Sequence, residues 1–303
     1  MRQATRAGAY DARRPKARRR SRRGGGFDPI SGMATGKLDS YAPRLHSVAL
    51  RITGNQADAE DVVQETWLRA HRKRAQFRGE AEYGTWLYRI AIRVASRLLR
   101  KQTSRRARLK SFSELLPFAD ATLPDVPSAA PGPRREAERA EESERVLAAI
   151  AKLPPAYRIP LVLKDIAELD SAQGASVMGM KEASFKTRVH RARLMLRAGL
   201  LEGRPEVALP PPAYDRQMCM DLLASKMDSL DRGVPFPVQD ELVCARCRNV
   251  FDSLDYTKQM CVRVSKGEFP PALRAWIRSQ RGASGGPTPR ARGRSAPRPR
   301  RAC

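Results

Sequence analysis

Aromatic residues are scarce in this chain of 303 residues, at 6%, and the three histidines, His46, His71 and His190, are scattered. Isolated imidazoles at such spacing offer no shared proton-transfer or metal site. There is no P-loop and no Gly-x-Gly-x-x-Gly fingerprint. These gaps exclude the common nucleotide-dependent and acid–base enzymes, and the chain reads as a non-enzyme. No apolar run approaches the roughly 20 residues that span a bilayer. The basic N-terminal run leads to Gly24, Gly25 and Gly26, not to an apolar segment, so no secretory leader is expected. Period-two alternation of β-branched residues is missing, as are internal repeats. Acidic residues are outnumbered: 32 Asp and Glu against 58 Lys and Arg, a formal charge of +26.

Much of that excess sits at the ends. Residues 1–24 carry +9 and residues 281–303 carry +7, leaving +10 for the rest. Tails without apolar periodicity are expected to be disordered and to add salt-sensitive attraction to phosphates. A purely solubilising role is the plainer alternative, and Met33 is an alternative start to Met1. Between the tails lie an apolar-periodic block at 37–103 and a spacer at 104–142. A second block at 143–200, a Pro-rich joint at 201–214 and a cysteine-bearing block at 215–280 follow. The prolines and glycine of LPDVPSAAPGPRRE and of PEVALPPPA oppose helix and predict flexible tethers. All three blocks read as helical, so the fold expected is all-α: small helical domains on linkers. A cytoplasmic location keeps thiols reduced. Four of five cysteines fall within 219–261, and such clustering favours metal over disulfides.

In the first block Asn55 is placed to cap a helix from Gln56, with Asp58 three positions on. Ala59, Val62, Val63, Thr66, Trp67 and Ala70 recur at helical spacing and should face a core. Asp58, Asp61, Gln64 and Glu65 fall on other faces. The next helix is expected over 82–101, with Trp86, Leu87, Ile90, Ala91, Val94 and Leu98 as its apolar stripe. Arg89, Arg93, Arg97 and Arg100 line another side as a basic ridge suited to a phosphate backbone. In the second block, apolar stretches flank Pro154 and Pro155. Residues 171–178 then read as the first helix of a helix-turn-helix, Gly179 as the turn and 181–196 as the recognition helix. Phe185, Val189, Ala192 and Leu196 mark its buried face. Ser184, Lys186, Thr187, Arg188 and Arg191 suit a major groove and its flanking phosphates. His190 is expected to pack or to meet phosphate.

The runs AEDVVQETWLRAH at 59–71 and FRGEAEYGTWLYRIA at 77–91 closely resemble the second domain of bacterial RNA polymerase sigma factors, especially the extracytoplasmic-function (ECF) group. LPPAYRIPLVLKDI at 153–166 and KTRVHRARLMLR at 186–197 resemble the helix-turn-helix domain of that group. The resemblance covers 37–101 and 143–200. It implies that Asp58, Asp61, Gln64 and Glu65 dock on the β′ clamp helices of core polymerase, whose β subunit is a further partner. It also implies that Arg89, Arg93, Arg97 and Arg100 serve the minus-ten element. Phe77, Tyr88 and the loop 79–83 would capture a flipped base there. Ser184, Lys186, Thr187, Arg188 and Arg191 would read the minus-thirty-five element.

There are departures. Arg93 and Arg97 stand where the family commonly has Asn and Asp, which puts a typical minus-ten sequence in doubt. Gly174 replaces a branched apolar residue, at the expected cost of a core contact. Lys181 replaces a capping Ser.

In the third block Leu223, Met227 and Leu230 make one apolar stripe, and Val250, Phe251, Leu254 and Cys261 another. Asp240 and Cys244 are one helical turn apart, and C-x-x-C adds Cys247. With Cys219 these form a candidate zinc set, for which Cys261 is a substitute ligand. Buried free thiols packing as small apolar groups are the alternative. The segment resembles zinc-binding anti-sigma domains, with Asp240 in place of their histidine. That resemblance implies a fused regulator folding back on the sigma domains, or a surface for an anti-sigma factor. Two other functions stay open: a stand-alone helix-turn-helix regulator, and an interaction protein that sequesters another sigma factor.

Overall fold

A computed structural model describes residues 34–74, 77, 82–102, 116, 122–126, 136–265 and 267–283. Helix α1 (Ala34–Thr53) turns at Gly54, whose φ of +82° suits glycine, into α2 (Gln56–Lys73). Asn55 caps α2 as its position predicts. Its side-chain oxygen accepts the Asp58 N–H at 2.7 Å, and its amide donates to the Asp58 carboxylate at 2.6 Å. Ala59, Val62, Val63, Thr66, Trp67 and Ala70 are all buried. They share one core with Leu45, Val48 and Ile52 of α1 and Leu87, Ala91 and Val94 of α3 (Tyr83–Gln102). The buried face of α3 is wider than its stripe: Tyr88, Ile92, Ala95 and Leu99 are buried, while Trp86, Ile90 and Leu98 are half-buried. The reason is tertiary, since α3 meets α1 and α2 on one side and α5 and α6 on another.

The second block folds as α4 (Glu136–Lys152), α5 (Pro155–Leu161), a π-helical continuation Val162–Ile166, α6 (Ser171–Met178) and α7 (Glu182–Leu201). Pro155 opens α5 where no N–H is needed. Asp170 and Gln173 form a reciprocal capping box at 2.7 and 3.1 Å ahead of α6. Gly179 closes that helix in the left-handed conformation, φ +67°. Lys181 gives α7 no side-chain cap, as expected from its chemistry. The expectation for Gly174 is corrected. A Cβ there would come within 2.2 Å of the Phe185 ring, so the phenyl group fills the space a side chain would take.

The third block supplies α8 (Arg216–Arg232), α9 (Ala245–Ser265) and α10 (Pro271–Ala283). It does not stand apart. Tyr256, Met260, Cys261 and Val264 of α9, and Leu273 and Ile277 of α10, join the core cluster formed by the first two blocks. Trp276 meets Trp67 edge-on at 5.8 Å, and Phe269 meets His46 at 5.7 Å. The first two blocks are also tied: Arg158 of α5 donates to the Ile52 carbonyl of α1 at 2.7 Å.

The fold is all-α except for one short ladder among the described residues. Strand β1 (Thr122–Pro124) pairs antiparallel with β2 (Glu206–Ala208), Leu123 opposite Val207. Three residues per strand are too few for an alternation to show in sequence. The expectation of flexible tethers is therefore corrected at these residues of the spacer and the joint, and α4 begins inside the expected spacer. No helix among the described residues is long and apolar enough to cross a membrane.

Candidate polymerase and nucleic-acid interface

On α2 the core stripe leaves the acidic residues outward. Asp61 is exposed, while Asp58, Gln64 and Glu65 are half-buried. Asp58 serves the Asn55 cap, and Glu65 pairs one turn along with Arg69 at 2.5 Å. Asp61 is thus the member of the set presented most openly to a partner.

On α3, Arg93, Arg97 and Arg100 are exposed along one side. Arg89 is not part of an open ridge. It is half-buried and donates to the Ser176 hydroxyl of α6 at 2.8 Å. Beside that contact Gln173 donates to Glu82 at 3.2 Å. The role of Tyr88 as a stacking aromatic is corrected, because the residue is core. Its ring is 3% exposed, and burial pushes its hydroxyl up to about 12. The aromatics available near the predicted base pocket are Phe77, Tyr83 and Trp86. All three are half-buried, with mutual ring distances of 5.4 to 5.5 Å. Tyr83 and Trp86 were legible as a pair three apart on one helix face, yet Trp86 reads first as part of the apolar stripe. Most of the loop 79–83 lies outside the described residues.

On α7, Phe185, Val189, Ala192 and Leu196 are buried as their spacing predicts. Ser184 and Thr187 are exposed, and Lys186, Arg188 and Arg191 are half-buried. Lys186 pairs with Glu182 at 3.1 Å, and the hydrogen bond to that carboxylate raises its pKa. His190 neither packs in the core nor lies open to phosphate. It pairs at 2.9 Å with Asp231 from the end of α8. Asp231 also accepts from Arg193 at 2.8 Å, and Arg193 is clamped by both oxygens of Asp165 at 2.9 and 2.6 Å. Arg193 is 1% exposed. Burial alone would lower its pKa, but Asp165 and then Asp231 outweigh it and hold the guanidinium charged. Burial would likewise raise Asp231, yet the His190 hydrogen bond and the Arg193 charge keep it below its ordinary value. Sequence reading missed this cluster, although its signal was present: Arg193 falls on the buried face, four past Val189. A buried guanidinium requires acidic partners.

The same side of α7 meets α8 through apolar groups. Thr187, His190 and Arg191 line a cavity of about 280 Å³ together with Met220, Leu223, Ala224 and Met227 of α8. Two members of the predicted minus-thirty-five set therefore border the third block.

The predicted zinc set is not assembled. Cys219 and Cys247 lie with their sulfurs 3.9 Å apart, close to the roughly 3.8 Å that two thiolates adopt on a tetrahedral zinc at about 2.3 Å each. Cys244 neighbours them. Burial would raise its thiol, but hydrogen bonds from the backbone of Ala213 and Cys247 outweigh that and lower its pKa. Cys247 is pushed up, by burial first and by Cys219 beside it. Asp240 does not join them. It opens a 3-10 turn, Asp240–Leu242, and Val243 is extended, so the helical turn that would align Asp240 with Cys244 does not exist. Cys261 is no substitute either, being packed in the main core. Among the described residues no group of three or more His, Cys, Asp or Glu is placed to hold an ion.

The arrangement agrees with what comparison finds. Residues 38–105 match Sigma-70 region 2 and residues 143–196 match Sigma-70, region 4. The chain is 30% identical over 172 residues to the ECF RNA polymerase sigma factor SigW of Bacillus subtilis, covering 54% of this chain and 86% of that one. It is 31% identical over 155 residues to the RNA polymerase sigma-H factor of Pseudomonas aeruginosa, covering 50% and 78%. A third relative, the ECF RNA polymerase sigma factor SigE of Mycolicibacterium smegmatis, is 32% identical over 168 residues, covering 55% of this chain but only 62% of that protein. Among solved structures it is similar to CnrH, determined in complex with the cytosolic domain of CnrY, at 24% identity and a TM-score of 0.41 over 56% of this chain and 89% of that one. The two domains and their relatives define a transcription initiation protein of the sigma-70 type. The chain belongs to the ECF group of RNA polymerase sigma factors.

Proposed function

We propose that the chain binds core RNA polymerase in the cytoplasm through the outward side of α2 and selects promoters with α3 and α7. The described fold is its closed state, held by its own residues 215–283. Polymerase supplies the catalysis; this chain supplies promoter choice. The observation that carries the closed-state reading is the seat of α8 on the recognition helix, with Asp231 on His190 and Arg193. Asp231 there engages His190, which borders Thr187 and Arg191 of the predicted DNA-reading set. Geometry supports the same reading. Minus-ten and minus-thirty-five elements, roughly 25 base pairs apart, are separated by about 85 Å at 3.4 Å per pair. Helices α3 and α6, one from each reading domain, are in direct contact through Arg89 and Ser176. The domains must separate before both elements are read. The third block thus stands in the place of an anti-sigma partner.

The test is transcription with core polymerase on a fragmented genomic library. Promoter-specific transcripts are expected, and Arg188→Ala with Arg191→Ala should weaken binding to a minus-thirty-five duplex by about 1–3 kcal/mol and flatten its salt dependence. An unaltered salt slope tells against the assignment of α7.

A further inference from the structure

The spacer between the two reading domains is held by side chains of the third block. Leu123 of β1 is 0% exposed. It lies in an apolar cluster with Cys219 and Leu223 of α8 and Cys247, Val250 and Leu254 of α9, and Leu194 of α7 closes the same cluster. The backbone around Leu123 is held as well. Asp125 donates its N–H to the Pro205 carbonyl at 2.8 Å, and Asn249 of α9 donates to the Pro124 carbonyl at 3.3 Å. The partner strand is gripped from the same helix end, where Arg246 donates to the carbonyls of Leu209 and Pro210 at 3.0 and 3.2 Å. An isolated pair of three-residue strands is not stable in water. This one exists because an apolar side chain enters a core and two polar side chains satisfy exposed carbonyls. Extended backbone bonded to a partner strand, with alternate side chains directed into a pocket, is the general mode by which strands are recognised as peptides.

We infer that the first turns of α9 form a peptide slot whose ligand is the chain's own spacer, residues 122–125, and that an occupied slot limits how far the two reading domains separate. The slot adjoins the seat of α8 on α7, with Leu223 common to both, but it holds a different segment. It captures the segment that has to extend when the domains part, whereas α8 covers the helix that reads DNA. Deletion of tether freedom acts directly on reach, because a spacer pinned at its middle leaves two short arms in place of one long one. The inference rests on residues 215–283 acting as an inhibitor, and its test separates the two ideas.

The full chain is compared with Leu123→Asp, Leu123→Ala and, separately, Asp231→Ala. Amide exchange is followed at 122–126 and 206–208, and transcription is measured with core polymerase. A thermal melt reports whether each variant stays folded, and Leu123→Ala serves if the charged variant does not. Exchange in the unaltered chain should be at least tenfold slower at Asp125 than in a free peptide of the same sequence. Leu123→Asp should return it to the free rate and raise transcription several-fold, and Leu123→Ala should do both to a lesser degree. Free-peptide exchange in the unaltered chain overturns the slot. If the Leu123 variants free the spacer without raising transcription while Asp231→Ala does raise it, capture has no regulatory role and the inference falls, but the inhibitor reading stands. If none of the variants raises transcription, the inhibitor reading falls and takes the inference with it.

Discussion

Asp61 on α2 faces solvent, whereas Thr187, His190 and Arg191 on α7 share a cavity with α8. Both helices are amphipathic, both bury the stripe their spacing predicts, and both belong to matched sigma regions. They differ in what the remaining chain does with the outward side. The third block also reaches α2, but there Trp276 of α10 meets the core-facing Trp67, and Phe269, just before α10, meets the α1 residue His46. Helix α2 is buttressed from its core side, and α7 is bordered by α8 on part of its outward side. On the proposed reading, such a closed state would leave the docking side of α2 accessible while it withholds promoter reading.

The comparison breaks most severely at Arg193. Arg193→Ala strands Asp165 in a buried site and leaves Asp231 with His190 alone, and a loss of about 3–5 kcal/mol in unfolding free energy is expected by denaturant titration. A loss under about 1 kcal/mol would mean that the cluster is not what joins α8 to the recognition helix. A smaller effect on binding with little effect on folding is expected at α2. Asp61→Lys with Glu65→Lys should weaken co-purification with core polymerase about tenfold, near 1.4 kcal/mol, since it reverses charge at an interface rim. Stability should move by only about 0.5 kcal/mol, as neither residue is in the core. Unchanged co-purification would remove α2 from the docking side.

The smallest effect concerns the buttress. His46 is 2% exposed, and its pKa is lowered by burial first and by Arg51, against the opposing charge of Glu60. Because the unfolded chain protonates before the folded one, stability is unaffected above about pH 7 and declines as pH falls below about 6.5. His71, also lowered by burial, adds a slope of the same sign. Melting curves between pH 7.5 and 5.5 should show a shallow decline that His46→Leu reduces, an effect well below that of Arg193→Ala. An unchanged slope in the variant would place the pH dependence elsewhere.

Much of the fold was legible residue by residue. The Asn55 cap, the six-residue stripe of α2, the boundaries of α6, the left-handed Gly179 and the buried face of α7 all follow from short-range rules. Such features depend on neighbours within a turn or two, which the sequence displays directly. The misses share a different cause. Tyr88 reads as a surface aromatic until α3 is packed from two sides. Gly174 reads as a defect until the Phe185 ring is seen in its place. Asp240 reads as a ligand only if the chain is helical through Cys244, and a 3-10 turn there decides otherwise.

By itself, then, the sequence determined the helical class, the two sigma regions and the chemistry on each helix, because periodicity and motif spacing are local properties. Which of those groups is open was decided only by tertiary structure. Arg89 meets Ser176 across 87 positions of chain, His190 meets Asp231 across 41, and Leu123 enters a pocket built from α8 and α9. Contacts of that kind are set by how the three amphipathic blocks pack on one another around two apolar clusters, and the choice of partner for each buried face leaves no periodic trace in any one of them.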